Sequence, residues 1–224
     1  MKKNRLILVD GSGYIFRAFY ALPPMTRADG TPVNAVFGFT SMLLKLSQDM
    51  EGENILVVFD AARTTFRNKI YKDYKANRSD PPEELVPQFS LIRDATEAIG
   101  LKSLEVAEYE ADDIIATYVK FAVKQKIETV IISSDKDLMQ LIQGGVSLYD
   151  PMKNIPIGAD GVIEKFGVTP DKVIDVQALA GDTSDNVPGI PGIGIKTAAQ
   201  LINEYGNLEN LLENAQQIMH KSQN

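Results

Sequence analysis

Leu6-Ile7-Leu8-Val9-Asp10 is an unbroken apolar run that ends in an aspartate. The pattern recurs in Ile55-Leu56-Val57-Val58-Phe59-Asp60, and again in Thr129-Val130-Ile131-Ile132 with Ser133-Ser134-Asp135-Lys136-Asp137 behind it. None of the three runs alternates polar with apolar residues, which suits parallel strands covered on both faces. Between them lie helical patterns over 36–50, 83–99 and 110–125, the last with Ile114, Ile115, Tyr118, Val119 and Ala122 at helical spacing. Strands alternating with helices predict an α/β fold, a mostly parallel sheet joined by right-handed crossovers.

Beyond position 158 the chain changes character, to helical patterns and Gly/Pro loops without a convincing strand. Thr169 can cap a helix running to about Ala180, with Pro170 at its first position. The loop Val187-Pro188-Gly189-Ile190-Pro191-Gly192-Ile193-Gly194 follows, and another helix begins near Ile195. The expected division is an α/β core over 1–158 and a small helical module over 159–224.

Composition removes several chemistries. Cysteine is absent, so disulfides and cysteine-ligated zinc cannot occur. The one histidine, His220, excludes a His-rich metal site, a Ser-His-Asp triad and a Cys-His dyad. Met1-Lys2-Lys3-Asn4-Arg5 is basic, but the apolar run behind it is too short for a signal peptide, and nothing is long enough to span a bilayer. A cytoplasmic, reducing location is expected. The net charge of −7 argues against a nucleic-acid partner only if the acids are spread evenly.

They are not spread evenly. In open α/β sheets ligands bind outside the carboxyl ends of strands, where these runs deliver Asp10, Asp60, Asp135 and Asp137. Aspartate after a strand also starts turns and caps helices, so one such residue says little. Tyr109-Glu110-Ala111-Asp112-Asp113 opens a helix with three acids, which the helix dipole favours, yet the three cover less than half the helix circumference and could converge. Gly181-Asp182-Thr183-Ser184-Asp185-Asn186 reads either as an Asx-rich turn or as two more ligands, and it does not fit an EF-hand. The candidates are Asp10, Asp60, Glu110, Asp112, Asp113, Asp135, Asp137, Asp182 and Asp185. Setting these nine apart from the 30 acids leaves 21 against 23 basic residues, a slightly basic remainder. An all-oxygen set suits Mg²⁺ or Mn²⁺, and two such ions about 4 Å apart suit phosphodiester hydrolysis.

Arg63, Arg67, Lys69, Lys72, Lys75 and Arg78 form a basic stretch interleaved with Phe66, Tyr71 and Tyr74, opposed within it only by Asp73. On a helix, positions 63, 67, 71 and 75 share one face. Such a stretch fits single-stranded nucleic acid, phosphates on the cations and bases on the rings, or else a solvated helix whose rings pack on the core. Residues 77–82 read as a flexible loop. Farther on, Gly189, Gly192 and Gly194 allow close approach to a phosphate, Lys196 adds charge, and Thr197 stands in the first turn of the next helix. The spacing is not that of a Walker loop. The bland alternative is a connector between helices.

With these residues in view, the chain resembles the 5′-nuclease (flap endonuclease) superfamily. Leu8-Val9-Asp10-Gly11, Val58-Phe59-Asp60, Phe66-Arg67 through Tyr74-Lys75-Ala76-Asn77-Arg78, Tyr109 to Asp113, Ser133 to Asp137, and Gly181-Asp182 through Lys196-Thr197-Ala198 carry the likeness in order over nearly the whole chain. It is similar above all to the 5′→3′ exonuclease domains that begin bacterial DNA polymerases I. The resemblance implies a PIN-like core, a helical arch over about 61–82, and a helix–three-turn–helix module. It implies removal of 5′ flaps and RNA primers near single-strand/duplex junctions, in replication and repair, by a monomer. Asp10, Asp60, Glu110, Asp112 and Asp113 would serve one metal site, and Asp135, Asp137, Asp182 and Asp185 the other. Lys75 and Arg78 would contact the scissile phosphate, with Arg67, Lys72 and Tyr74 also on the DNA, and the hairpin near Gly192 and Gly194 would hold K⁺. The chain stops at Asn224, soon after that hairpin, where such domains continue toward a fused polymerase. This implies a truncated or stand-alone form. Other readings are a PIN-type ribonuclease, which the hairpin disfavours, a DNA-binding module without catalysis, and a metal-stabilised structural protein, which leaves the basic stretch unexplained.

Overall fold

The computed structural model describes residues 5–50 and 53–215; Met1 to Asn4 and His220 lie outside them. In chain order the elements are β1 (Leu6–Asp10), α1 (Gly11–Ala21), α2 (Asn34–Asp49), β2 (Asn54–Val58), α3 (Phe66–Ile70), α4 (Gln88–Ala98), β3 (Lys102–Leu104), α5 (Ala111–Lys124), β4 (Thr129–Ile132), β5 (Val146–Asp150), β6 (Ile155–Ile157), α6 (Ala159–Phe166), α7 (Val173–Ala180), α8 (Ile195–Tyr205) and α9 (Leu208–Glu213). The strands form one sheet in the order β3-β2-β1-β4-β5-β6, parallel except for β6. The chain builds outward from β1 to β2 and β3, then returns to the other side of β1 with β4. The switch point therefore lies between β1 and β4, where a doubly wound sheet opens a crevice at its carboxyl edge.

The apolar runs behave as buried strands. Ile7 and Val9 point to a core shared with α1, α2 and α4, while Leu8 points to the core under α5 to α9. The second core continues without a break from the sheet into Val176, Leu179, Ala198, Ile202 and Leu211 of the last helices. Among the described residues no helix is long and apolar enough to cross a membrane.

Several expectations need correction. The helix expected over 83–99 begins at Gln88, because Pro87 takes the N-cap position and 83–87 are turns. The helix expected from Thr169 opens as a 3-10 turn over Pro170–Lys172, and the Thr169 side chain makes no capping bond. Helix α1 and strands β3, β5 and β6 were not anticipated: β3 and β6 are three residues long, too short for periodicity. The stretch over 61–82 holds only one five-residue helix, α3, followed by turns in which Lys75 has φ 56. Positions 63, 67, 71 and 75 therefore share no helical face. Residues 77–82 are tethered, through Asn77 to the Thr183 carbonyl and through Arg63 to the carbonyls of Arg78 and Ser79.

Candidate active site

Asp10 ends β1 at the switch point. One carboxylate oxygen caps α1 by accepting from the Gly13 N–H at 3.3 Å; the other accepts from the Ser133 hydroxyl at 2.8 Å. Ser133 is buried and accepts in turn from the Asp135 N–H at 2.9 Å, so one hydroxyl ties the ends of β1 and β4 together. Asp60, two residues past β2, accepts from the Ala111 N–H at 2.7 Å and the Ser12 hydroxyl at 2.5 Å. Glu110 and Asp113 form a capping box at the start of α5. Asp10, Glu110 and Asp113 are thus fixed by local caps, Asp60 by bonds from Ser12 of α1 and Ala111 at the start of α5, and the topology brings them to one edge.

There they line a cleft of about 500 Å³ that holds Asp10, Asp60, Glu110, Asp112, Asp135, Asp137 and Asp185. Desolvation, with the charges of Asp60 and Asp135 behind it, pushes Asp10 up to about 6. Burial and the charges of Asp10 and Asp135 raise Asp112 well above the usual carboxylate range. Burial and Asp135 raise Asp137. Like charges that share a poorly solvated site disfavour ionisation, and a hard cation would relieve this. By donor chemistry the set fits a divalent cation bound through oxygen.

The other two candidates lie elsewhere. Asp113 and Asp182 face an adjoining cavity of about 450 Å³, which shares Glu110, Asp112, Asp137 and Asp185 with the first. Arg67 grips Asp113 with two hydrogen bonds of 2.7 Å. Burial alone would raise Asp113, but those bonds and the Glu110 N–H hold it below its usual range. Asp182 accepts from Lys136 at 2.6 Å and, as an Asx turn, from the Ser184 N–H at 2.8 Å; these outweigh its desolvation and lower it too. Among the described residues no three carboxylates already stand close enough to grip an ion.

The basic segment meets acids that lie outside it. Lys75 reaches Glu110 at 2.8 Å and Asp185 at 3.7 Å, and Arg78 reaches Asp185 at 2.5 Å. Arg63 pairs with Asp80, and Lys69 with Glu108. Backbone and amide bonds close the contact: Lys75 N–H to the Asp185 carbonyl, Asn186 to the Asp73 carbonyl. Tyr74 is buried, its hydroxyl 2.9 Å from Glu110 and 3.0 Å from Asp185. Its ring is not free to stack on a base here, contrary to the sequence expectation. Lys72 is exposed.

In the hairpin the glycines divide by role. A Cβ on Gly189 would lie 2.3 Å from the carbonyl carbon and oxygen of Ala180, so Gly189 is needed where the loop crosses the end of α7. Gly192 (φ +83) and Gly194 face open space. Gly194 is the N-cap of α8, which has no side-chain cap, and Ile195, Lys196 and Thr197 are exposed around its free N–H groups.

Sequence reasoning missed Ser12, Ser133, Gln177 and two lysines. Gln177 of α7 donates to Asp137 at 2.6 Å. No motif marks it, because only the packing of α7 brings it there. Lys136 lines the cleft from inside the Asp135-Lys136-Asp137 motif, and Lys165 lines it from α6.

The family models described as 5′-3′ exonuclease, N-terminal resolvase-like domain, and 5′-3′ exonuclease, C-terminal SAM fold, match residues 5–167 and 168–224. The chain is 56% identical to a DNA polymerase I of Rhizobium leguminosarum over 97% of its own length and 22% of that protein's. It is 42% identical to a 5′-3′ exonuclease of Aquifex aeolicus, covering 93% of this chain and 72% of that one. It thus spans about a quarter or less of the polymerase relative. By fold it is similar to the T5 D15 protein co-crystallised with metal ions (TM-score 0.76, 24% identity, 94% of this chain and 78% of that one). The flap endonuclease-1 of Methanococcus jannaschii superposes with a TM-score of 0.61 (19% identity, 95% and 74%).

Proposed function

The chain belongs to the 5′-3′ exonuclease family, and on that premise we propose that it hydrolyses phosphodiesters of DNA near 5′ ends at single-strand/duplex junctions. The observation that carries the reading is the cleft at the β1/β4 switch point, where seven carboxylates meet and three are held at raised values by burial and mutual repulsion. Asp10, Asp60, Glu110, Asp112, Asp135, Asp137 and Asp185 would hold Mg²⁺ or Mn²⁺, with Asp113 and Asp182 serving as anchors for Arg67 and Lys136. Bound there, the ions would ease ionisation of water and stabilise charge on the phosphate.

The chain's own groups do the rest. Lys75 and Arg78 now neutralise Glu110 and Asp185; both line the cleft, where a phosphate would be an alternative partner. Buried Ser133 and half-buried Gln177 hold Asp10 and Asp137 in place. The exposed N-terminus of α8, with Gly194, Lys196 and Thr197, would take duplex phosphates without reading sequence. K⁺ at the Gly192–Gly194 turn, RNA primers as substrate, a monomeric state, a cytoplasmic location and an attached polymerase belong to the same proposal and rest on the family.

The test is cleavage of a 5′-end-labelled flap duplex with Mg²⁺ and with EDTA, beside the free strand and beside Asp135→Asn. Mg²⁺-dependent cutting at the junction is expected, with little on the free strand. Asp135→Asn should lose activity by orders of magnitude while its circular dichroism stays that of the wild type. Tight flap binding without cutting would favour a DNA-binding module instead.

A further inference from the structure

Four basic side chains line the carboxylate cleft: Lys75, Arg78, Lys136 and Lys165. Three are engaged by site carboxylates, Lys75 by Glu110 at 2.8 Å, Arg78 by Asp185 at 2.5 Å and Lys136 by Asp182 at 2.6 Å. Lys165 is exposed, and among the described residues its side chain makes no ion pair or hydrogen bond. Its helix offers it no partner: three and four residues before it on α6 stand Val162 and Gly161, neither of them acidic, and the helix ends one residue after it.

Its origin is distinct. Lys75 and Arg78 come from the segment after β2 and reach across to Asp185 behind α7. Lys165 comes from the last turn of α6. A strand lying across the carboxylates would therefore meet cations supplied by two separate elements. A free ammonium beside so many acids would most simply be drawn into a pair with one of them. Left unpaired on the rim, it suits a partner that is itself anionic and arrives from solution, and an ammonium serves a phosphate oxygen as a point charge.

Taking the nuclease reading of the cleft as given, we propose that Lys165 is a phosphate-binding residue for the DNA strand. It would contact a backbone phosphate next to the scissile one. The contact is electrostatic and carries no base preference. A competing structural role is compensation of the α6 dipole, since Lys165 stands in the last turn. Lys124, in the last turn of α5 and exposed, has that setting without lining the cleft, and serves as the matched control.

The experiment uses the 224-residue chain as wild type, Lys165→Ala, Lys165→Arg and Lys124→Ala. Each is titrated by fluorescence anisotropy against a labelled 5′-flap duplex in Ca²⁺ over a range of NaCl, with thermal melts alongside. Lys165→Ala should bind about five- to tenfold more weakly, and its log K against log salt slope should fall by about one. Lys165→Arg should restore both, and Lys124→Ala should change neither. On duplexes carrying single methylphosphonates, one site beside the scissile phosphate should weaken the wild type but leave Lys165→Ala unaffected. A Lys165→Ala protein with wild-type affinity and slope, or a Lys124→Ala protein with an equal loss, would overturn the assignment. If the wild type binds no flap DNA, the nuclease reading itself fails, separately from any Lys165 result.

Discussion

Replacing Asp10 with asparagine should stabilise the metal-free fold at neutral pH. Burial, aided by Asp60 and Asp135, moves this carboxyl from 3.8 to about 6. The folded value lies above the unfolded one, so its contribution to stability is fully present below about pH 3.8 and is lost as pH rises through about 6. By pH 7.5 the loss is about 3 kcal/mol. Asparagine has no charge to desolvate. It has a single acceptor oxygen, however, where Asp10 accepts from both Ser133 and Gly13, and dropping one such bond costs about 1 kcal/mol. A net gain of about 1–2 kcal/mol is expected at pH 7.5, vanishing or reversing near pH 4.5. Asp113 and Asp182 are held below their usual range, so their contributions stay intact through this window. Asp112 loses a repelling neighbour in the variant, which adds to the gain at pH 7.5. Urea unfolding in EDTA, followed by circular dichroism at the two pH values, measures the difference. With saturating Mg²⁺ the order should invert, because only the wild type keeps the Asp10 ligand and ligand binding stabilises the folded state. A variant less stable than wild type at pH 7.5 in EDTA, or equally stabilised at both pH values, would refute the reasoning.

Gly189→Ala should destabilise the fold by roughly 3 kcal/mol or more, since its Cβ would lie 2.3 Å from the Ala180 carbonyl group, backbone that cannot swing aside. Gly194→Ala, which points into open space, should leave the melting temperature nearly unchanged while weakening flap binding; parallel melts and anisotropy titrations separate the two glycines. Lys196→Ala should lower the salt slope of flap binding by about one at constant melting temperature, and an unchanged slope would remove the α8 terminus from the duplex-binding surface.

The parts of the fold legible in the sequence were those with strong local physics. The β1, β2 and β4 runs are apolar throughout because both their faces are covered, and α2 and α5 are long enough for their periodicity to show. Strands of three residues, such as β3 and β6, leave no period to read. The pairing of the basic segment was hidden for a different reason. Its spacing counts charges along the chain, whereas Lys75, Arg78 and Arg67 are neutralised by Glu110, Asp185 and Asp113, each at least 35 residues away in sequence. Ser133 and Gln177 gave no signal, since a hydroxyl or amide that holds a carboxylate is defined by what it touches. The nine acids could be listed from the chain, but not their division into seven in the cleft and two beside it. That division depends on which way Arg67 and Lys136 reach.

The two readings that the acids invited, helix caps and turns or a site, are not alternatives. Asp10 caps α1, Glu110 and Asp113 box the start of α5, Asp135 accepts from the Asp137 N–H, and Asp182 closes an Asx turn. A cap fixes a carboxylate to within a hydrogen bond of the backbone, and the switch point places the capped ends of several elements along one edge. Local rules thus orient each side chain, while their collective charge breaks the rule that buried acids be neutralised. The misfit gathers at this edge, with Asp10, Asp112 and Asp137 raised, and with Lys75 and Asn186 at positive φ where the basic segment closes against Asp185. A chain selected only for stability would place an amide or a hydroxyl at Asp10 and Asp112. Retaining the acids is explained if a cation bound there makes up for the stability they forgo.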